Sequence, residues 1–120
     1  MNEFDIANEW LKYANNDLIV AKHCFEDLHP KQTEISSYHC QQCAEKSLKA
    51  FLSYKNIKFE KIHDLKVLNK LCQDNDNSFM QIITQCAHLT PYAVAVRYPN
   101  ELSPSEDMVK LAIVKRPASL

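Results

Sequence analysis

The chain has no glycine in 120 residues. Glycine is the residue that takes positive φ without steric cost, so every tight turn here must be made by something else. The glycine-dependent phosphate loops, both the P-loop and the dinucleotide fingerprint, are therefore excluded. Two-residue β-hairpins, which rely on pairs such as Asn-Gly, are disfavoured for the same reason. Helices can still end on Asn or Pro, and Asn56, Asn75, Asn77 and Pro99 stand where such ends are needed.

The apolar periodicity agrees with a helical chain. Trp10, Ala14, Leu18, Ala21, Phe25 and Leu28 form one stripe and predict a first helix from about Asp5 to Leu28, closed by His29-Pro30. Asp17 falls inside that stripe. A carboxylate there needs a partner, because burying it unpaired is very costly. Two readings follow: a structural salt bridge or groove-edge position, and a carboxylate belonging to a site.

A second helix is predicted from about Glu34 to Tyr54, with Ser37, Cys40, Ala44, Leu48 and Phe51 on its core face. Ala44 narrows that face enough for a neighbouring helix to approach closely. Gln42, Glu45, Lys46 and Lys49 fall on the opposite, polar side. Glu45 precedes Lys49 by four residues, the favourable order for an ion pair.

The polar segment from Lys55 to Ile62 links to a third helix opening near His63-Asp64. Asp64 is placed to cap it, Leu65, Leu68 and Leu71 point inward, and Asn75 lies beyond its end. A fourth helix is expected from about Ser78 to Leu89. Thr90-Pro91 starts a short one running to about Val96, and Ser103-Pro104-Ser105-Glu106 reads as the capping box of a last helix carrying Met108, Leu111 and Ala112. The alternating run Ala93-Val94-Ala95-Val96 could pass for a strand, but it has no pairing partner. The expectation is a single all-α domain over residues 1–120: a compact helical bundle of two long antiparallel helices plus three or four shorter ones.

Composition narrows the function classes. The net charge is −1, so nucleic-acid binding would have to come from a local patch. No apolar run approaches the length of a membrane span, and the N-terminus M-N-E-F-D is acidic where a signal peptide would be basic. A cytoplasmic protein with no membrane association is expected. The five cysteines are an odd number. Cys40-Gln-Gln-Cys43 has metal-knuckle spacing but no second pair follows it, and His23, His29, His39 and His88 show no ligand spacing. Reduced thiols packed as small hydrophobes, no metal and no cofactor are the expectation.

Three segments, in order, carry a family likeness. They are Gln41 to Leu52 (Q-Q-C-A-E-K-S-L-K-A-F-L), His63-Asp64-Leu65, and Arg97-Tyr98-Pro99-Asn100. Together with Trp10, Ala14, Asp17, Leu18 and Ala21 of the first helix, the chain resembles the HEPN domain family over nearly its whole length. Asn100 stands where the family pattern has Asp.

The resemblance implies a helical bundle, frequent homodimers, and a minimal nucleotidyltransferase as partner in toxin–antitoxin-like systems. It also implies ribonuclease relatives that act through an R-x4–6-H motif. This chain departs from that motif. Leu102, Ser103 and Pro104 occupy the positions where His would follow Arg97, and no His follows Arg116. A nucleotide- or nucleic-acid-phosphate-binding module without catalytic residues is therefore the leading expectation. Its ligand-binding residues would be Arg97, Tyr98, Lys46, Lys49, Glu45, His63, Asp64 and Asp17.

The Arg97 fork suits phosphate and Tyr98 could stack on a base. Arg97 could instead form an ion pair with Asp17 or Glu45 that locks the last loop to the bundle. A structural dimerisation domain with a degenerate pocket is the alternative function, and an RNase using His63 and Asp64 as acid and base is a third.

Overall fold

The computed structural model describes residues 2–59 and 61–92. Four α-helices form the frame: α1 (Glu3–Lys22), α2 (Thr33–Tyr54), α3 (Leu65–Gln73) and α4 (Ile83–Leu89). Among the described residues there is no strand, and the all-α expectation holds.

Helix α1 starts two residues earlier than the apolar stripe suggested. The Asn2 side chain accepts from the Asp5 N–H at 2.9 Å, and the Asp5 carboxylate reaches back to the Asn2 N–H, closing a capping box. At its other end the helix widens into a π turn over His23–Asp27. Beside that turn the Ala21 carbonyl accepts a bond from the buried Ser36 hydroxyl of α2 at 2.7 Å. The turn also redirects the chain, so Leu28, expected to face inward, is exposed.

Helices α1 and α2 run antiparallel. Ala21 meets Ser36 near one end, Asp17 meets His39 further along, and Trp10 meets Lys49 towards the other. Ala7, Ala14 and Ala21 of α1 recur at seven-residue intervals and are buried, as is Ala44 of α2. Small residues on both facing surfaces let the helix axes come close.

The main core lies on the other side of α2. Leu48, Leu52, Leu65, Leu68, Cys72 and Phe79 are almost completely buried there, joined by Ile82, Cys86, Leu89 and Tyr92. Each fully buried aliphatic or aromatic side chain contributes about 1.5–3 kcal/mol. Leu71, expected inward, is only partly buried, and Cys72 fills the central place beside it.

Asn56 and Lys61 take left-handed positions that glycine would otherwise favour, at φ 57° and 56°. At the end of α2, Asn56 sits at φ 57° and the Ile57 N–H bonds the Leu52 carbonyl at 2.8 Å. The Asn56 N–H bonds the Ser53 carbonyl at 3.1 Å, completing a Schellman stop with Asn in the left-handed position. At the end of α3 the Asn75 side-chain amide donates to the Leu71 carbonyl at 3.1 Å.

The expected fourth helix divides in two. Asp76 caps a 3-10 segment, Asn77–Ile82, and α4 continues from it. Thr90–Tyr92 forms a short 3-10 turn. The expectations for Ala93 to Val96, for Arg97-Tyr98-Pro99-Asn100, and for the last helix with its capping box lie outside the described residues.

Candidate functional site

Helix α2 organises two charged clusters of the same composition, each a carboxylate, a histidine and a lysine. In the first, Asp17 of α1 receives both partners from α2. His39 Nδ1 lies 2.8 Å from one carboxylate oxygen and Lys46 Nζ 2.6 Å from the other. His39 and Lys46 are seven residues apart, two helical turns on one face, so both can reach the same point on α1.

Asp17 is thus paired, as its position in the apolar stripe required. About a tenth of its side chain is exposed, against a quarter for His39 and Lys46 (11%, 25% and 26%).

In the second cluster Glu45 and Lys49 are buried while the His63 side chain is 69% exposed. Glu45 accepts from Gln41 Nε2 at 3.2 Å on one oxygen, and from Lys49 Nζ and His63 Nδ1, each at 3.0 Å, on the other. Gln42 extends the chain by donating to Gln41 Oε1 at 2.7 Å. Burial pushes the Glu45 carboxyl up, but the bonds from His63, Lys49 and Gln41 and the Lys49 charge outweigh it and leave its pKa lowered. The ammonium of Lys49 also lies over the rings of Trp10, at 5.5 Å, and Phe59, at 5.8 Å. These two rings meet edge to face at 6.0 Å. The aromatic faces favour the cation on the side that Glu45 leaves open.

This arrangement corrects the sequence reading of α2. Glu45 and Lys49, assigned to the polar side, are buried, and their ion pair is internal. The reason is that α2 is covered on two sides, by α1 together with Trp10 and by the segment carrying Phe59 and His63. Of the four residues assigned to that side, Gln42 and Lys46 remain partly covered.

Both imidazoles are set the same way. A carboxylate can only accept, so Nδ1 carries the proton in each and donates it. Lys49 Nζ, 3.4 Å from His63 Nδ1, is then an electrostatic neighbour of the ring, not its donor. In each case Nε2 is the remaining polar atom, and it has no hydrogen-bond partner among the described residues.

The other expected site residues separate. Asp64 accepts from the Lys66 N–H at 2.8 Å and caps α3, so His63 is oriented by Glu45 and not by its sequence neighbour. Arg97 and Tyr98 lie outside the described residues. His39, set aside for lack of ligand spacing, and the buried Gln41 were missed as members of the clusters. The signal for Gln41 was present in its four-residue spacing to Glu45, and that for His39 in its seven-residue spacing to Lys46.

Among the described residues, no group of three or more His, Cys, Asp or Glu side chains could hold a metal ion. No helix there is long and apolar enough to cross a membrane. An apolar recess of about 330 Å³ lies away from both clusters, between the start of α1 and the end of α2, lined by Phe4, Ala7, Leu11, Ala50, Phe51 and Tyr54 with Asn8. Its lining carries no titratable group but the Tyr54 phenol, so the charged chemistry belongs to the clusters and not to this recess.

No curated protein and no solved structure matches the chain. The family model described as HEPN domain matches residues 7–115. That span takes in α1 from Ala7 onward, both charged clusters, the capped start of α3 and the Arg97-Tyr98-Pro99 segment, and the chain belongs to the HEPN domain family.

Proposed function

We propose that this protein is a nucleotide- or nucleic-acid-phosphate-binding module. It acts in the cytoplasm, as a homodimer, with a nucleotidyltransferase-type partner in a toxin–antitoxin-like system. The observation that carries the reading is the pairing of two carboxylate–histidine–lysine clusters along one helix, each presenting an imidazole Nε2 at its rim. The two imidazoles supply donors to an anion and the partly exposed Lys46 adds positive charge, while the buried carboxylates hold them in place. In this reading Arg97 and Tyr98 complete the site, the guanidinium gripping phosphate and the phenol ring stacking on a base. With no R-x4–6-H motif in the sequence, the site binds without cleaving.

A thermal-shift panel of nucleotides and short RNAs, followed by calorimetry, tests this. Arg97→Lys keeps the charge but loses the fork, so affinity should fall at least tenfold with the fold intact. Unfolding of the variant would instead assign Arg97 to an internal ion pair. Unchanged affinity and stability in both Arg97→Lys and Arg97→Ala would remove Arg97 from the site. Co-purification with a nucleotidyltransferase expressed from an adjacent gene tests the partner.

One observation favours the alternative, a dimerisation domain with a degenerate pocket. Phe4 and Tyr54 are 61% and 55% exposed at the mouth of the apolar recess. On that reading no nucleotide binds, and Phe4→Ser converts a dimer to a monomer in light scattering.

A further inference from the structure

Glu45 holds an exposed imidazole, His63, beside a buried lysine, whereas Asp17 holds an imidazole and a lysine that both reach solvent, and that difference assigns the ligand contacts. Lys49 is spent internally: its ammonium is held by Glu45 and covered by Trp10 and Phe59, with only 6% of its side chain exposed. Lys46 and His39 are held by one carboxylate, on its two separate oxygens, and each keeps about a quarter of its side chain in contact with solvent. Tyr38 packs edge-on against the His39 ring, 5.1 Å between centroids, and fixes its plane further. With Nδ1 committed to Asp17, His39 can meet a ligand only through Nε2. Lys46 retains two ammonium protons beyond the one given to Asp17.

We propose that His39 Nε2 and Lys46 Nζ, held side by side on Asp17, are the contact pair for a terminal phosphate, that is, a phosphomonoester. This rests on the phosphate-binding reading and deepens it. The chemistry favours a phosphate end over an internal diester. A phosphomonoester loses its second proton near pH 6, so around neutrality it offers charged oxygens and, in its singly ionised form, a P–OH. The charged oxygens accept from Lys46 and from an imidazolium Nε2, and the P–OH donates to a neutral Nε2. An internal diester has one charge and no P–OH, so it satisfies only part of the pair. Lys49 is a structural residue on this assignment and does not contact ligand.

The test uses the full chain and three probes: adenosine monophosphate, inorganic phosphate, and a dinucleoside monophosphate whose only phosphate is the internal diester. Nitrogen-15 NMR of the imidazoles should show His39 Nε2 shifting on addition of the first two probes and staying still with the third. His39→Asn keeps an amide donor near the Nδ1 position for Asp17 and removes Nε2, so adenosine monophosphate affinity should drop at least tenfold. His39→Gln places an amide near the Nε2 position and should recover part of that loss. Adenosine monophosphate binding with no change at His39, or equal affinity for the diester probe, overturns this proposal and leaves the broader reading standing. Absence of binding to all three probes and to short RNA overturns both. The NMR measurement on the unaltered protein decides the matter even where a variant fails to fold.

Discussion

Lys49 Nζ lies 3.0 Å from Glu45 Oε2, and both side chains are buried one turn apart on α2. A buried pair of this kind contributes little net stability, because desolvating two charges offsets their attraction, but removing one member exposes the cost of the other. Lys49→Met should therefore destabilise the protein by about 3 kcal/mol, and Glu45→Leu by a similar amount, since breaking a buried pair costs about 3–5 kcal/mol. The double variant should be less damaged than the two single losses combined. Urea denaturation of the four proteins measures the cycle, and a strictly additive result would show that the pair is not energetically coupled.

Acid sensitivity follows from the same residue. Because the fold lowers the Glu45 pKa, the native state resists protonating this carboxyl at pH values where the unfolded chain takes up the proton. Its stabilising contribution is complete above the ordinary carboxylate range, near about pH 4.3. It is lost as pH falls through the lowered value. Stability measured between about pH 5 and pH 3 should thus decline with a shallower slope in Glu45→Gln than in the parent protein. An identical slope in the two would show that the lowered Glu45 pKa does not drive the acid limb.

Helix periodicity was legible because it depends on local spacing: Leu48, Leu65 and Leu68 are buried where their stripes put them. The need of Asp17 for a partner was equally legible, since burial of an unpaired carboxylate is so costly. The identity of that partner was not. His39 and Lys46 lie 22 and 29 residues away along the chain, and only the antiparallel register of α1 and α2 brings them to Asp17. The burial of Glu45 and Lys49 was hidden for a related reason. Amphipathic periodicity marks one face as apolar, but it does not reveal that a second element, here the segment bearing Phe59 and His63, covers the polar face as well. The π turn at His23–Asp27 has no sequence signature, and the Ser36 hydroxyl that bonds the Ala21 carbonyl beside it comes from another helix.

The cysteines should be chemically silent in the native state. Burial pushes the thiol pKa values of Cys40 and Cys72 up to about 12, with Cys43 and Cys86 respectively adding to the effect, and that of Cys86 to about 11. The thiolate is the reactive form, so alkylation at pH 8 should proceed at these three sites only through opening of the structure. Peptide-resolved iodoacetamide labelling should show their rates rising with urea in parallel with unfolding. Rapid labelling of Cys72 without denaturant would contradict its burial between α2 and α4.

Asn56 offers the cleanest test of how a chain without glycine ends its helices. It occupies the left-handed position at φ 57° with both Schellman bonds made, so its side chain is tolerated there at a steric cost that glycine would not incur. Asn56→Gly removes that cost but adds backbone freedom to the unfolded chain, and the two effects act in opposite directions. The net change should be small and favourable, a few tenths of a kcal/mol. Asn56→Ala keeps a Cβ in the same region and loses the local bonding that makes Asn acceptable, so it should destabilise by about 1 kcal/mol. Thermal unfolding of the three proteins ranks them, with Gly first, Asn second and Ala last. Ala ranking above Asn would mean that the turn at the end of α2 is not under left-handed constraint.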